Sequence, residues 1–88
     1  MIYHVEYLKS VEKTLAKMDR FTRRILFEWI DKNLEGCVDP RIHGKPLSAN
    51  RAGQWRYRVG DYRIIADIQD AKLVILVIAI GHRRDVYE

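Results

Sequence analysis

The chain opens on an alternating stretch, IYHVEYL (residues 2–8), with Tyr3, Val5 and Tyr7 on one side and His4 and Glu6 on the other. A period of two marks a half-buried strand. From Lys9 the period lengthens: Val11, Leu15 and Met18 fit one helical face, with Ser10 as the predicted N-cap. Asp19 predicts a second cap. Behind it Phe21, Ile25, Trp29, Ile30 and Leu34 form an apolar stripe that stops before Gly36. Helices joined by so short a link are expected to lie as a hairpin on a sheet.

Residues 36–53 are rich in Gly, Pro, Ser and Asn and read as a loop with room for local structure. Strands are predicted at 54–59, 62–69 and 72–80. The order β-α-α-β-β-β defines an α+β fold, a single small domain over residues 1–88, with a mostly antiparallel sheet and the helical hairpin packed on one face. Gly60 followed by Asp61 suits a type II′ turn. That turn pairs Val59 with Tyr62, Arg58 with Arg63, Tyr57 with Ile64 and Arg56 with Ile65. Trp55, Tyr57, Val59, Tyr62, Ile64, Ala66 and Ile68 then share the face under the helices, and Arg56, Arg58 and Arg63 take the other. A second tight turn at Asp70-Ala71 would pair Tyr62 with Ala79 and Arg63 with Ile78. The last strand, apolar on both faces as in mid-sheet, would then end beside Gly60 and deliver His82, Arg83, Arg84 and Tyr87 to the arginines.

Charge sharpens this picture. The net charge of +4 arises in the second half: residues 1–40 carry seven acidic and seven basic side chains, residues 41–88 nine basic and five acidic. A concentrated basic surface suits a polyanion such as nucleic acid or an acidic protein; a solvated, soluble face is the plain alternative. The single cysteine, Cys37, precludes an internal disulfide, and His4, His43 and His82 are isolated, with no zinc-site spacing. The N-terminus lacks a signal-peptide core and Leu73–Ile80 is too short to cross a bilayer, so a soluble cytoplasmic protein without a cofactor or membrane partner is expected.

Guanidinium groups present paired donors to phosphate. Cleavage of RNA through its own 2′-hydroxyl needs a base, an acid for the leaving 5′-oxygen, and cations around phosphorus. His82, Tyr87 and the arginines are groups of those kinds, and no carboxylate set stands ready for two magnesium ions. Each also has a plain reading. His82 ends a strand, Tyr87 is next to last in the chain, Trp29 and Trp55 suit a core, and His43 sits in an ordinary loop.

The element order together with DPR…GKPL (from residue 39), WRYRVGDYRII (from residue 55) and IGHRRDVY (from residue 80) resembles the RelE branch of the RelE/ParE toxin superfamily along nearly the whole chain. RelE-like toxins are ribosome-dependent endoribonucleases that cut mRNA in the A site and are held inactive by an antitoxin. The resemblance implies that Arg63 contacts the scissile phosphate and that Arg83 stabilises the transition state. Tyr87 would orient substrate near the 2′-hydroxyl, and Lys45, Arg56, Arg58 and Arg84 would bind RNA. It also implies an acidic antitoxin, the ribosome and mRNA as partners. Arg56 and Arg58 stand where the namesake often has lysines. Arginine cannot readily replace a lysine that moves protons, which makes His82 the expected proton-transfer residue. A ParE-like inhibitor of DNA gyrase and an inactive binding module of the same fold are the alternatives.

Overall fold

Backbone pairing carries the chain across a five-stranded mixed sheet from one edge to the other. A computed structural model describes residues 1–47 and 53–86; Tyr87 lies outside the described residues. The order is β1 (His4–Tyr7), α1 (Lys9–Lys17), α2 (Arg20–Asn33), β2 (Lys45–Pro46), β3 (Gln54–Val59), β4 (Tyr62–Gln69), β5 (Val74–His82) and the single turn α3 (Arg83–Val86). In space the strands run β1-β5-β4-β3-β2. β1 is parallel to β5 and the other pairs are antiparallel. A parallel edge needs a crossover, and the two helices are the start of it. They pack on one face, where Val11, Leu15, Leu26, Ile30 and Leu34 share a core with Tyr57, Val59, Ile64, Ala66, Ile68, Ile75, Val77 and Ile80.

The α+β class, the helical pair on one face and the β3–β4 hairpin match the sequence expectations, down to each cross-strand partner. Gly60 has φ +60° and Asp61 stays out of the positive region, as a type II′ turn requires. Asp19 caps α2 by accepting from the Thr22 N–H at 3.0 Å.

Three expectations are corrected, and the local structure allowed for in the loop takes a definite form. Helix α1 starts from Leu8, whose carbonyl accepts from the N–H groups of Val11 and Glu12, so Ser10 lies inside the first turn and does not cap it. The buried stripe of α2 is Leu26, Ile30 and Leu34, while Phe21 and Ile25 are 72% and 42% exposed. Both stripes follow i, i+4 spacing about 100° apart, and the sheet takes the one that continues to Leu34. The loop over residues 36–53 contains a short edge strand, β2, which pairs Lys45 with Arg56 and Pro46 with Trp55. Finally, β4 meets β5 three residues off the expected register, with Tyr62 opposite His82 and Arg63 opposite Gly81. The β4–β5 connection is longer than a two-residue turn: Gln69 pairs with Val74, and Leu73 takes the left-handed φ of 56°. A bulge between Ile65 and Ala66 in the β4 ladder then leaves Ile78 of β5 without a ladder partner and moves the pairing by one more residue.

The choice of stripe sets one expectation for stability. Leu26→Ala, at a site 1% exposed, is expected to destabilise the domain by about 2–5 kcal/mol. Phe21→Ala, deleting a larger side chain at an exposed site, should stay within about 0.5 kcal/mol. Urea unfolding of the two variants measures the difference, and equal losses would mean that Phe21 is the packed side chain.

Candidate nucleic-acid interface

The face of the sheet away from the helices carries Arg56 and Arg58 of β3 and Arg63 of β4, because side chains alternate along each strand. With Lys45 and Gly44 of the preceding segment they line a cleft of about 250 Å³. Four cationic side chains and no carboxylate contribute to this lining. Arg58 and Arg63 face each other directly. Their treatment differs: Arg58 is exposed, whereas Arg63 is only 6% exposed. Arg63 Nη1 donates to the carbonyls of Gly60 (3.3 Å) and Tyr62 (3.1 Å), so the turn itself holds the guanidinium.

Lys45 reaches the cleft through a set of side-chain anchors on the loop before it. The Tyr57 hydroxyl, fully buried, donates to the Pro40 carbonyl at 2.7 Å, and burial pushes its pKa well above the ordinary tyrosine value. Trp55 Nε1 donates to the His43 carbonyl at 2.6 Å. Arg41 forms two hydrogen bonds to Asp70 (3.0 and 3.1 Å) and lies 5.8 Å from the Trp55 ring centroid. Its bonds, then that of the Tyr3 hydroxyl, hold the Asp70 carboxyl below its usual range. Gly44 sits between these anchors with φ +76°. A Cβ there would overlap the Arg56 carbonyl oxygen and come 2.9 Å from the Tyr57 ring. The loop therefore packs directly on β3, and only glycine fits the contact. The role of Gly44 was not anticipated; the sole local sign is a glycine immediately before Lys45.

The C-terminal group divides. Arg83 and Arg84 are exposed and open α3 beside the hairpin turn, where the Arg83 N–H donates to the Asp61 carbonyl at 2.8 Å. One turn thus receives the Arg63 guanidinium on Gly60 and the Arg83 backbone on Asp61, so the segment that carries Arg83 and Arg84 comes to the hairpin end of the sheet, as expected. His82 goes elsewhere. Lying opposite Tyr62, it shares the helix-side face, with the two rings 5.7 Å apart and near perpendicular. It lines a recess with Thr14, Met18 and Ile80. The expected meeting of His82 with the arginines does not occur: the bulge reverses the parity of β5 and turns the imidazole through to the helix side. Among the described residues no three His, Cys, Asp or Glu side chains gather to hold an ion.

A helical pair on one face of a small mixed sheet, with a cationic cleft on the other, is joined by similarity of sequence and fold in marking the chain as a RelE-like toxin of the RelE/ParE superfamily. The chain belongs to the family described as ParE toxin of type II toxin-antitoxin system, parDE, whose model matches residues 5–87. It is 28% identical over 87 residues to Toxin RelG of Mycobacterium tuberculosis, covering 99% of this chain and 98% of that one. The crystal structure of the toxin-antitoxin complex RelBE2 from the same organism contains a chain that superposes with a TM-score of 0.80 at 27% identity, over 97% of both chains. The isolated E. coli RelE toxin shares the fold, with a TM-score of 0.74 at 22% identity, over 91% of this chain and 83% of that one.

Two substitutions separate the scaffold of the cleft from its charge. Gly60→Ala introduces only a positive φ, with no atom within 4 Å of the new Cβ, and is expected to lose on the order of 1–2 kcal/mol. Gly44→Ala adds a backbone overlap to a similar strain and should lose clearly more, read from the urea midpoints. Arg58→Ala removes one of two like charges placed directly across a ladder, and should leave the melting temperature unchanged or slightly raised. In the same variant, single-stranded RNA binding should weaken and the slope of log affinity against log salt should fall by about 1. An unchanged slope would place the phosphates elsewhere.

Proposed function

We propose that this type II toxin is a ribosome-dependent endoribonuclease that cleaves mRNA in the A site, with the RNA's own 2′-hydroxyl as nucleophile. The observation that carries the reading is the cleft lined by Lys45, Arg56, Arg58 and Arg63. It is of a size to take a phosphodiester, and its like-charge pair gains stability when an anion enters. Attack of the 2′-oxygen on phosphorus gathers negative charge on the non-bridging oxygens. Guanidinium donors already aimed at that position stabilise the transition state more than the ground state. Arg63 is the best prepared of them, because its orientation is held by the turn before substrate arrives. Arg83, whose backbone is fixed to the same turn, supplies a second cation. Arg56, Arg58 and Arg84 hold the strand, and the surrounding positive surface docks on ribosomal RNA.

An acidic antitoxin fits the same chemistry. The relative in the RelBE2 structure is a member of a toxin-antitoxin complex, and a net charge of +4 concentrated in the second half of this chain calls for a partner of opposite sign. Such a partner laid over the cleft would compete with RNA directly.

The family description itself favours a second reading, ParE-like inhibition of DNA gyrase. Primer extension on mRNA in programmed ribosomes separates the two. The wild type should give discrete A-site cuts, and Arg83→Ala should slow them by roughly 10²–10³-fold if its cation acts on the developing charge. Intact mRNA with the wild type, together with inhibited supercoiling by gyrase, would overturn the nuclease reading in favour of the second.

A further inference from the structure

Three of the four charged side chains lining the cleft are guanidinium groups, which stay protonated and so bind phosphate without moving a proton. The fourth is Lys45. Cleavage through a 2′-hydroxyl nonetheless needs a proton delivered to the departing 5′-oxygen, since an alkoxide is a poor leaving group. Of the other proton-exchanging candidates, His82 lies on the helix side of the sheet against Tyr62, and Tyr87 lies outside the described residues. Strand β3 presents arginine at 56 and 58, and neither exchanges a proton readily. Here a lysine comes instead from the neighbouring strand, directly opposite Arg56.

The position of Lys45 is built with care on both sides. Upstream, Gly44 packs against the Arg56 carbonyl and Trp55 holds the His43 carbonyl. Downstream, the Leu47 N–H donates to the Gln54 carbonyl at 3.0 Å. A surface lysine that served only solubility would not need its backbone fixed between two anchors.

The geometry points to Lys45 as the general acid of the cleft, an assignment that rests on the nuclease reading above. In the step, the 2′-oxygen forms a bond to phosphorus and its proton passes to solvent. The bond from phosphorus to O5′ breaks with its electron pair on O5′, which takes a proton from the Lys45 ammonium. The products are a 2′,3′-cyclic phosphate and a 5′-hydroxyl, and the amine regains its proton from solvent. No oxidant, reductant or further reactant enters.

The test compares wild type with Lys45→Arg, which keeps the charge but holds its protons too tightly to act as a general acid, in programmed ribosomes at saturating toxin. Two mRNAs are used, one natural and one carrying sulfur in place of the scissile 5′-oxygen. A thiolate leaves without protonation. Lys45→Arg should cut the natural mRNA roughly 10²–10⁴-fold more slowly than wild type, and the sulfur-substituted mRNA within about tenfold of it. Ribosome binding and melting temperature should be unchanged. Equal deficits on both substrates, natural cleavage within about threefold of wild type, or a loss of ribosome binding that accounts for the defect would each overturn the assignment while leaving the nuclease reading intact. Uncut mRNA with the wild type would remove the nuclease reading and this assignment together.

Discussion

The register of β4 between its two neighbours is the constraint on which the site depends. On the β3 side the Gly60 turn sets it and places Arg58 across from Arg63. On the β5 side a bulge resets it, so that Arg63 meets Gly81 and Tyr62 meets His82. In a sheet, a change of one residue reverses which face every later side chain occupies. The bulge therefore sorts the C-terminal part of β5: Ile80 stays with the core, the imidazole of His82 turns to the same side against Tyr62, and a residue without a side chain is left opposite Arg63. Bulges commonly re-aim side chains beside functional sites, and this one separates the histidine from the cationic cleft.

A cleft of like charges is a burden on the fold that holds it. Two features relieve it. The Arg63 guanidinium donates through Nη1 to carbonyls of its own turn, so part of the cost of its burial is offset. Arg58 and Lys45 remain open to water, where the high dielectric weakens their repulsion. The arrangement trades a little stability for electrostatic preorganisation, since cations fixed before an anion arrives need not reorganise when it does.

The loop before β2 links core and site. Tyr57 and Trp55 belong to the helix-facing side of β3, yet their polar ends reach back to carbonyls of Pro40 and His43. The core thus positions the segment that carries Lys45. As an edge strand of two residues, β2 is also well protected: Pro46 offers no N–H, and a charged Lys45 discourages pairing with another chain. The same lysine can serve edge protection and the cleft, because its backbone pairs with Arg56 in the ladder and its side chain lines the cleft.

Local chemistry in the sequence determined the order of the two main helices and four longer strands, the Asp19 cap, the Gly60 hairpin with all its cross-strand partners, and the gathering of Arg56, Arg58 and Arg63 on one face. Each depends on neighbours a few residues away: a side-chain oxygen beside free N–H groups, a glycine at a positive φ, or alternation at period two. Tertiary structure decided what local chemistry left degenerate. Phe21–Ile25 and Leu26–Ile30–Leu34 are both adequate helical stripes, and only the sheet beneath selects the second. Lys45 and Gly44 look like loop residues until β3 lies alongside them. His82 reads as a member of the arginine cluster until a bulge at Ile78 moves it to the other face. The physical reason is common to all three: which face an apolar stripe, an edge segment or a strand end presents is fixed by the surface it packs on, and that surface is supplied by distant parts of the chain.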